Sequence, residues 1–192
     1  MTDTLTKPRR ADAVRNHERI LAAAKKVFAE IGADAQMEAV ARRSGVGVGT
    51  LYRHFPTKGD LLGELVAEQF AAFRDQARLS LESVDDPWEA LSGTLRANAQ
   101  LASENIAVQN AITGSEVNWE RVHPVREELL QATEELIARG HAAGVLRDDL
   151  EVMDIPTVMC GVCSTMSMTR PDGAAPDWRR HLEILLDGLR AR

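Results

Sequence analysis

The sequence predicts an all-α fold with a small N-terminal helix-turn-helix head and a larger helical body. Ala, Leu, Glu and Arg, which favour helices, dominate the 192 residues, whereas aromatic residues make up only 4%. So few aromatic residues disfavour a β-sandwich or barrel. Apolar residues recur at helical spacing along most of the chain, and no segment alternates like a strand. We expect about nine helices.

The head is expected over residues 15–56, after a flexible basic arm over residues 1–14. Its first helix is predicted by apolar residues that repeat on one helical face, namely Ile20, Ala24, Val27, Phe28 and Ile31. Gly32 is expected to end this helix, since glycine is common just after a helix C-terminus.

Two short helices follow the first one. They are predicted over about 36–43 and 47–54, with a tight turn at 44–46 between them. Pro56 ends the second of the pair, because the residue before a proline is pushed out of the α region.

The body is expected over residues 57–192. Thr57 has the position of an N-cap, with Asp60 at the capping-box position. The predicted body helices cover about 57–81, 88–104, 106–113, 122–143, 152–168 (interrupted early by Pro156) and 177–190.

Charge is divided unevenly along the chain. Residues 1–60 hold 11 Lys and Arg against 7 Asp and Glu, whereas residues 61–192 hold 12 against 22. A basic head favours contact with a polyanion, although a solvated surface of uneven charge explains the same numbers. No apolar run is long enough for a membrane span, no signal peptide is recognisable, and two cysteines suit a reducing compartment. We therefore expect a cytoplasmic protein without a membrane partner.

The two short helices and their glycine-containing turn form the pattern of a helix-turn-helix motif. In such motifs the second helix enters the major groove of DNA, while neighbouring polar groups contact phosphates. Small residues at the start of this helix allow close approach, and Tyr52 offers a hydroxyl group. The candidate DNA-binding residues are Lys7, Arg9, Arg10, Gln36, Met37, Gly47, Val48, Gly49, Thr50, Tyr52, Arg53, His54 and Lys58.

Two stretches resemble the DNA-binding head of TetR-family transcriptional repressors. One is RILAAAKKVFAEIG from Arg19 to Gly32, and the other runs from Met37 to Lys58 and ends in GTLYRHFPTK. The resemblance covers about residues 15–65. It implies a homodimer that binds a near-palindromic operator on double-stranded DNA. It also implies a helical body that binds an unidentified small-molecule effector and releases DNA through a swing of the fourth helix.

Two pairs of residues depart from the family pattern. Gly47 and Val48 stand where many members have Ser and a basic or polar residue, and Gln36-Met37 stands where Thr is common. Gly47 offers shape alone, and Val48 offers apolar contact, such as with a thymine methyl group. An alternative function is therefore a small-molecule-binding or adaptor protein whose head no longer reads DNA.

The effector is expected to be a largely apolar small molecule held between body helices, where binding sites are mostly apolar with a few polar groups. The candidate ligand-binding residues are Trp88, Leu95, Asn98, Leu101, Ile112, Trp119, His123, Met159 and Cys163. The dimer is expected to form through the helices at 152–168 and 177–190, because pairing two copies buries their broad apolar stripes. Its candidate interface residues are Leu182, Leu185, Leu186 and Leu189.

Nothing in the sequence predicts an enzyme, a cofactor or a metal site. Cys160 and Cys163 lie on one helix face, but no further ligand stands at suitable spacing, so packing is favoured over a redox or metal role. His123 and Glu127 supply too few ligands for a metal ion.

Overall fold

The computed structural model describes residues 6–105, 108, 117–169, 173 and 175–191. These residues form helices and loops without a β-strand, which confirms the predicted fold class. The α-helices in these ranges are α1 (Thr6–Ile31), α2 (Met37–Ser44), α3 (Val48–His54), α4 (Lys58–Ser83), α5 (Pro87–Glu104), α6 (His123–Ala142), α7 (Asp154–Met166) and α8 (Trp178–Asp187). The helix predicted at 106–113 falls largely outside the described residues.

Helix α1 begins earlier than the sequence pattern predicts. The expected flexible arm is helical from Thr6 onward, so that part of the prediction was wrong. Pro8 lies in the first turn, where backbone N–H groups lack intrahelical partners and a proline is tolerated. Further along, Arg15 forms an ion pair with Asp12 one turn away, which supports the helix.

The head packs α1, α2 and α3 around one apolar core. Ile20, Val40, Leu51 and Phe55 are completely buried there. Gly45 makes the turn between α2 and α3 with φ +68°, a left-handed conformation that favours glycine. This turn sets the direction in which α3 leaves the head.

Helix α4 belongs to two apolar cores at once. Leu61, Leu65 and Val66 in its first half are buried in the head core, whereas Ala77 in its second half is buried in the body core. The helix begins with the predicted capping box, in which Thr57 accepts from the backbone N–H of Asp60 and the Asp60 carboxylate accepts from that of Thr57. It thus forms one continuous element between the two parts of the molecule.

In the body, α5 and α6 pack on α4, α7 packs on α5, and α8 packs on α7. Asp86 caps α5 and Pro87 opens it, as is typical of helix N-termini. Helix α7 begins at Asp154, and Pro156 lies within its first turn. The interruption predicted at this proline is therefore wrong, since a proline in the first turn removes no helical hydrogen bond.

Candidate nucleic-acid interface and cavity

The N-terminal half of α3 presents a narrow, exposed face. Gly47 and Gly49 are exposed, and the side chains of Val48 and Tyr52 are 45% and 40% exposed although both are large and apolar in part. Leu51 and Phe55, on the opposite side of the helix, are completely buried. The core therefore holds the exposed face rigidly, as direct contact with a DNA groove requires.

Polar side chains at the edges of this face are held by hydrogen bonds within the head. Arg53 Nη2 donates to Thr50 Oγ1 at 2.9 Å. Gln36 is the N-cap of α2, and its amide donates to the backbone oxygen of Asp34 at 3.0 Å. Met37 is only 6% exposed and packs in the head core, so its prediction as a DNA contact is corrected. The helical periodicity of α2 turns this side chain inward.

The hydroxyl group of Tyr52 has a partner that sequence analysis missed. It donates to the Glu38 carboxylate of α2 at an O···O distance of 3.3 Å. Desolvation and the Glu38 charge raise the pKa of Tyr52, so the hydroxyl group stays protonated at neutral pH and remains a donor. Glu38 therefore competes with a DNA phosphate for the hydrogen bond that the Tyr52 hydroxyl group donates.

His54 and Lys58 lie where α3 meets α1 and α4. His54 is half-buried, with its ring centroid 6.0 Å from that of His17. Burial, followed by the nearby charges of His17 and Arg53, lowers the pKa of His54 and favours its neutral form. Lys58 Nζ lies 5.9 Å from the centre of the Phe28 ring. Lys7, Arg9 and Arg10 belong to the first turns of α1, and their side chains lie outside the described part.

A cavity of about 130 Å³ lies in the body between α4, α5, α6 and α7. Its wall is mostly apolar. It is lined by Phe70, Phe73, Leu91, Thr94, Leu95, Asn98, Arg126, Leu129, Leu130, Thr133, Leu136, Ile155, Pro156, Met159, Cys160 and Cys163. Such a chamber between bundle helices is a typical place for a small apolar ligand.

The polar groups of the cavity differ in their partners. The hydroxyl groups of Thr94 and Thr133 donate to backbone oxygens of their own helices at 2.7 and 2.8 Å. By contrast, Asn98 Oδ1 is buried and has no hydrogen-bond partner among the described residues. Burial raises the pKa of Cys163 to about 11, so this thiol stays protonated and lines the wall as a weakly polar group.

Four of the predicted ligand-binding residues line this cavity: Leu95, Asn98, Met159 and Cys163. The others do not. Trp88 is in the body core under the Arg190 guanidinium group, Trp119 packs on the head core, and His123 is exposed. Leu101 is half-buried but is not part of the wall, and Ile112 lies outside the described residues.

Sequence analysis missed the contributions of α4 and α6 to the wall. Phe70 and Phe73 have the helical spacing of ordinary core residues, and this spacing does not distinguish a cavity wall from a filled core. Arg126 lies on a helix with many charged residues, and its position in the wall depends on how α6 packs. The sequence around Arg126 therefore carries no pattern that predicts its place in the cavity wall.

Polar contacts connect α4 to the turn before α6. Asn118 Nδ2 donates to Asp60 Oδ1 at 2.9 Å, and Arg121 Nη1 donates to Glu64 Oε2 at 3.1 Å. The hydrogen bond from Asn118, followed by that from Thr57, lowers the pKa of Asp60. A Cβ at Gly63 would lie 2.7 Å from the backbone oxygen of Asn118, so only glycine allows this close approach.

Exposed apolar side chains lie on the outer face of α8 and just beyond both ends of α7, at Met153 and Met168. Ile184 is 57% exposed, whereas Leu182, Leu186 and Leu189 are at most 6% exposed and pack in the body core of their own chain. The prediction that these three leucines form the dimer interface is therefore corrected. The apolar stripe of α8 is broad because it faces the core, and Leu185 is half-buried at its edge.

Family models match both parts of the chain. Residues 20–65 match the bacterial regulatory proteins of the tetR family, and residues 86–191 match the C-terminal domain of SbtR-like transcriptional regulators. The chain belongs to the TetR family. The resemblance predicted from the head motif is confirmed, and the SbtR-like match extends it to the body of this TetR-family protein.

Relatives and solved structures agree with this assignment. An HTH-type transcriptional regulator of Staphylococcus aureus is 31% identical over 104 residues, which span about half of each protein, 54% of this chain and 56% of the relative. The TetR transcription regulatory protein of Mycobacterium vanbaalenii is 31% identical, with a TM-score of 0.62 over 95% of this chain and 99% of its own. FadR of Bacillus subtilis, solved in complex with stearoyl-CoA, is 20% identical, with a TM-score of 0.71 over 90% of this chain and 99% of its own. At this identity the likeness shows only that the two proteins share a fold.

In the described part of this TetR-family chain, no three His, Cys, Asp or Glu side chains are grouped so that they could hold a metal ion. None of the helices in these ranges is long and apolar enough to cross a membrane.

Proposed function

We propose that this TetR-family chain is a transcriptional repressor that binds a near-palindromic operator as a homodimer and leaves it when a small molecule fills the body cavity. The observation that carries this proposal is the position of α4. Leu61 and Leu65 anchor its first half in the head core, and Phe70 and Phe73 further along wall the cavity. A ligand that displaces the wall of the cavity therefore moves the element that supports the head.

On the DNA side, we assign positioning and sequence reading to different residues. Tyr52 and Lys58 contact phosphates, and the basic residues at the start of α1 add further phosphate contacts. Base edges are read by Thr50, Gln36 and Val48. The two heads of a dimer would then contact half-sites about 34 Å apart.

The release step uses a second link besides α4. Arg121 and Asn118 hold the first turns of α4 and directly precede α6, which supplies Arg126 and Leu129 to the cavity wall. A ligand that binds one arrangement of α4 and α6 more tightly than the other shifts the head between two positions. FadR of Bacillus subtilis, which has this fold, was solved in complex with stearoyl-CoA, and this supports a small-molecule ligand for the chain.

The homodimer is assigned to the outer faces of α7 and α8. Ile184 is exposed there, and the small residues Thr157, Cys160 and Ser164 on the exposed side of α7 allow a second helix to approach closely. Leu185 at the edge of the core adds apolar surface. The family resemblance supports this pairing of two copies.

The experiment that tests the proposal is the selection of bound DNA from a random library, followed by mobility-shift titrations at several salt concentrations. We expect a two-fold symmetric motif and an affinity that falls steeply with salt, because phosphate contacts release counterions. Lys58→Ala should weaken binding to all sequences alike and reduce the salt slope by about one unit. The control is Lys25→Ala, which removes a lysine that pairs with Glu68 at 2.9 Å, and it should leave the slope unchanged.

Two outcomes would contradict the proposal. If no DNA sequence is enriched, the alternative of a small-molecule-binding or adaptor protein is favoured. If a single, unrepeated half-site is selected, the protein does not bind DNA as a symmetric dimer.

A further inference from the structure

The cavity has two different ends. Ion pairs Arg121–Glu64 and Arg74–Glu128 show that α4 and α6 run in parallel, and the short loop at 84–86 makes α5 run back along α4. By this register, Phe70, Asn98 and Arg126 line the end nearest the head. Leu91 and Leu136 line the far end. The charged Arg126 and the buried Asn98 therefore lie next to the junction with the head, whereas the hydroxyl groups of Thr94 and Thr133 further along already donate to backbone oxygens of their own helices.

Arg126 at this end differs from the arginines around it. Arg121 pairs with Glu64 and Arg74 pairs with Glu128, at 3.1 and 2.9 Å. Within the described residues, no ion pair or side-chain hydrogen bond holds the half-buried Arg126, although it borders an apolar chamber. A guanidinium group in such surroundings favours a bound anion, which it contacts through two parallel N–H donors.

Asn98 provides a second polar group in the same wall. It is only 6% exposed, and its Oδ1 has no partner in the described part of the chain. A buried amide without partners is costly, and a ligand with a polar end relieves that cost. Rotation of the amide by half a turn exchanges its oxygen and nitrogen, so Asn98 can present its N–H donors to a ligand oxygen.

We infer that the cavity binds a small monocarboxylate, with its carboxylate group at Arg126 and Asn98 and its apolar body toward Leu91 and Leu136. The chamber of about 130 Å³ suits one aromatic ring, because apolar cavities of roughly 150 Å³ take up benzene. This inference names the ligand class of the proposed effector site, and it rests on the proposed function for the link to DNA release. A ligand carboxylate there neutralises the charge of Arg126. This residue lies five positions after Arg121, whose ion pair with Glu64 holds α4.

The test compares ligands that share a body and differ in charge. Benzoate, benzyl alcohol and benzylamine are titrated into the full chain by calorimetry without DNA, alongside cyclohexanecarboxylate and hexanoate with their alcohols. We expect at least one of the acids to bind about tenfold or more tightly than its own alcohol, as charge-assisted hydrogen bonds require. The amine should bind most weakly of the benzene derivatives.

Two variants assign that preference to residues. Arg126→Gln should remove the preference for acid over alcohol, and Asn98→Leu should weaken acid binding while leaving the alcohol bound. Arg78→Gln is the matched control. Arg78 lies where α4 contacts α6, with Nη2 3.3 Å from Glu128 Oε2, but it is not part of the cavity wall. This variant should keep the preference for acid over alcohol. Thermal melting of each variant shows that it is folded.

The inference is overturned if no acid binds more tightly than its alcohol, or if Arg126→Gln and Arg78→Gln reduce acid binding equally. Mobility shifts with the selected operator separate this inference from the proposed function. Acid binding without any DNA binding refutes the repressor and leaves the carboxylate site intact. DNA binding that every acid leaves unchanged, in a protein that does not bind these acids, refutes the carboxylate site and leaves DNA binding intact.

Discussion

The head and the body of this TetR-family chain place their functional residues along the sequence in different ways. The candidate DNA-contacting face comes mainly from one short segment, residues 36–58, around the buried Leu51 and Phe55. The cavity collects side chains from four helices, between Phe70 and Cys163. A local motif fixes the first kind of site, whereas the second depends on how distant helices pack.

The polar groups of the two regions also differ. On the head, Tyr52 and Arg53 already have partners, Glu38 and Thr50, which DNA must replace or tolerate. In the cavity, Asn98 Oδ1 has no partner within the described residues. Under the proposed function, the head would exchange one set of contacts for another on binding DNA, whereas the body would gain contacts on binding its ligand. Each prediction below tests one side of this contrast.

The largest effect is expected at two neighbouring positions of α8 with opposite environments. Leu186 is 1% exposed in the body core, whereas Ile184 is 57% exposed. Leu186→Ala should lower the free energy of unfolding by about 2–5 kcal/mol, because it leaves a cavity. Ile184→Glu should keep the helical fold but lower the dimer content.

Denaturant titration followed by circular dichroism measures the first effect, and sedimentation velocity measures the second. A folded Ile184→Glu variant that stays as dimeric as the wild type would place the dimer interface elsewhere. A Leu186→Ala variant of unchanged stability would contradict the packing of α8 on the body core.

The junction of head and body should be sensitive to one added methyl group. Gly63→Ala places a Cβ 2.7 Å from the backbone oxygen of Asn118, and we expect it to cost about 1–3 kcal/mol of stability through overpacking. Gly93→Ala in α5 is the matched control, since no atom lies within 4 Å of the added Cβ. It should stabilise the helix by about 0.5–1 kcal/mol. Equal thermal midpoints for the two variants would show that the junction is loose.

Sequence reasoning predicted the helices well where caps and apolar periodicity agree. Thr57 with Asp60 marks a helix start by hydrogen bonds within a single turn, and such bonds depend on local sequence alone. Sequence reasoning failed at the start of α1, because the residues there were interpreted as a flexible basic arm although Pro8 in a first turn does not stop a helix.

The candidate sites were predicted to different extents for the same reason. The exposed positions of α3 follow from its period once Leu51 and Phe55 are placed inside. The role of Leu186 does not follow, since an apolar stripe suits a core and an interface equally. Trp88 and Phe73 likewise look alike in sequence, because both have the spacing of core residues. Only the packing of the body helices places Phe73 at the cavity and Trp88 in the filled core.

The cap of α4 should give the junction a measurable acid dependence. Thr57→Ala should cost about 1 kcal/mol of stability at neutral pH. Hydrogen bonds from Asn118 and Thr57 lower the pKa of Asp60 in the folded protein. The ionised carboxylate therefore stabilises the fold above its unfolded pKa of about 3.9, and this stabilisation is lost as the pH falls through the lower folded value.

Asp60→Asn separates this effect from other acid titrations. The variant should be less stable than the wild type at neutral pH, and the difference should shrink as the pH falls below about 4. Urea denaturation at a series of pH values measures it. A difference that stays constant down to strongly acidic pH would show that the charge of Asp60 does not contribute to the junction.

The smallest effect concerns the pair Tyr52 and Glu38 on the head. Tyr52→Phe should weaken binding to all operator sequences alike by about 0.5–1 kcal/mol, because one hydrogen bond to phosphate is lost. Glu38→Gln should instead tighten binding, since it removes a negative charge beside the phosphates and a strong acceptor for the Tyr52 hydroxyl group, 3.3 Å away. Combining both substitutions tests whether the gain acts through Tyr52, because the gain from Glu38→Gln should then be smaller in the Tyr52→Phe background. Mobility-shift titrations on the selected operator and on a base-substituted one measure all four proteins. If Tyr52→Phe changes the preference between the two operators, Tyr52 reads a base and does not merely hold the backbone.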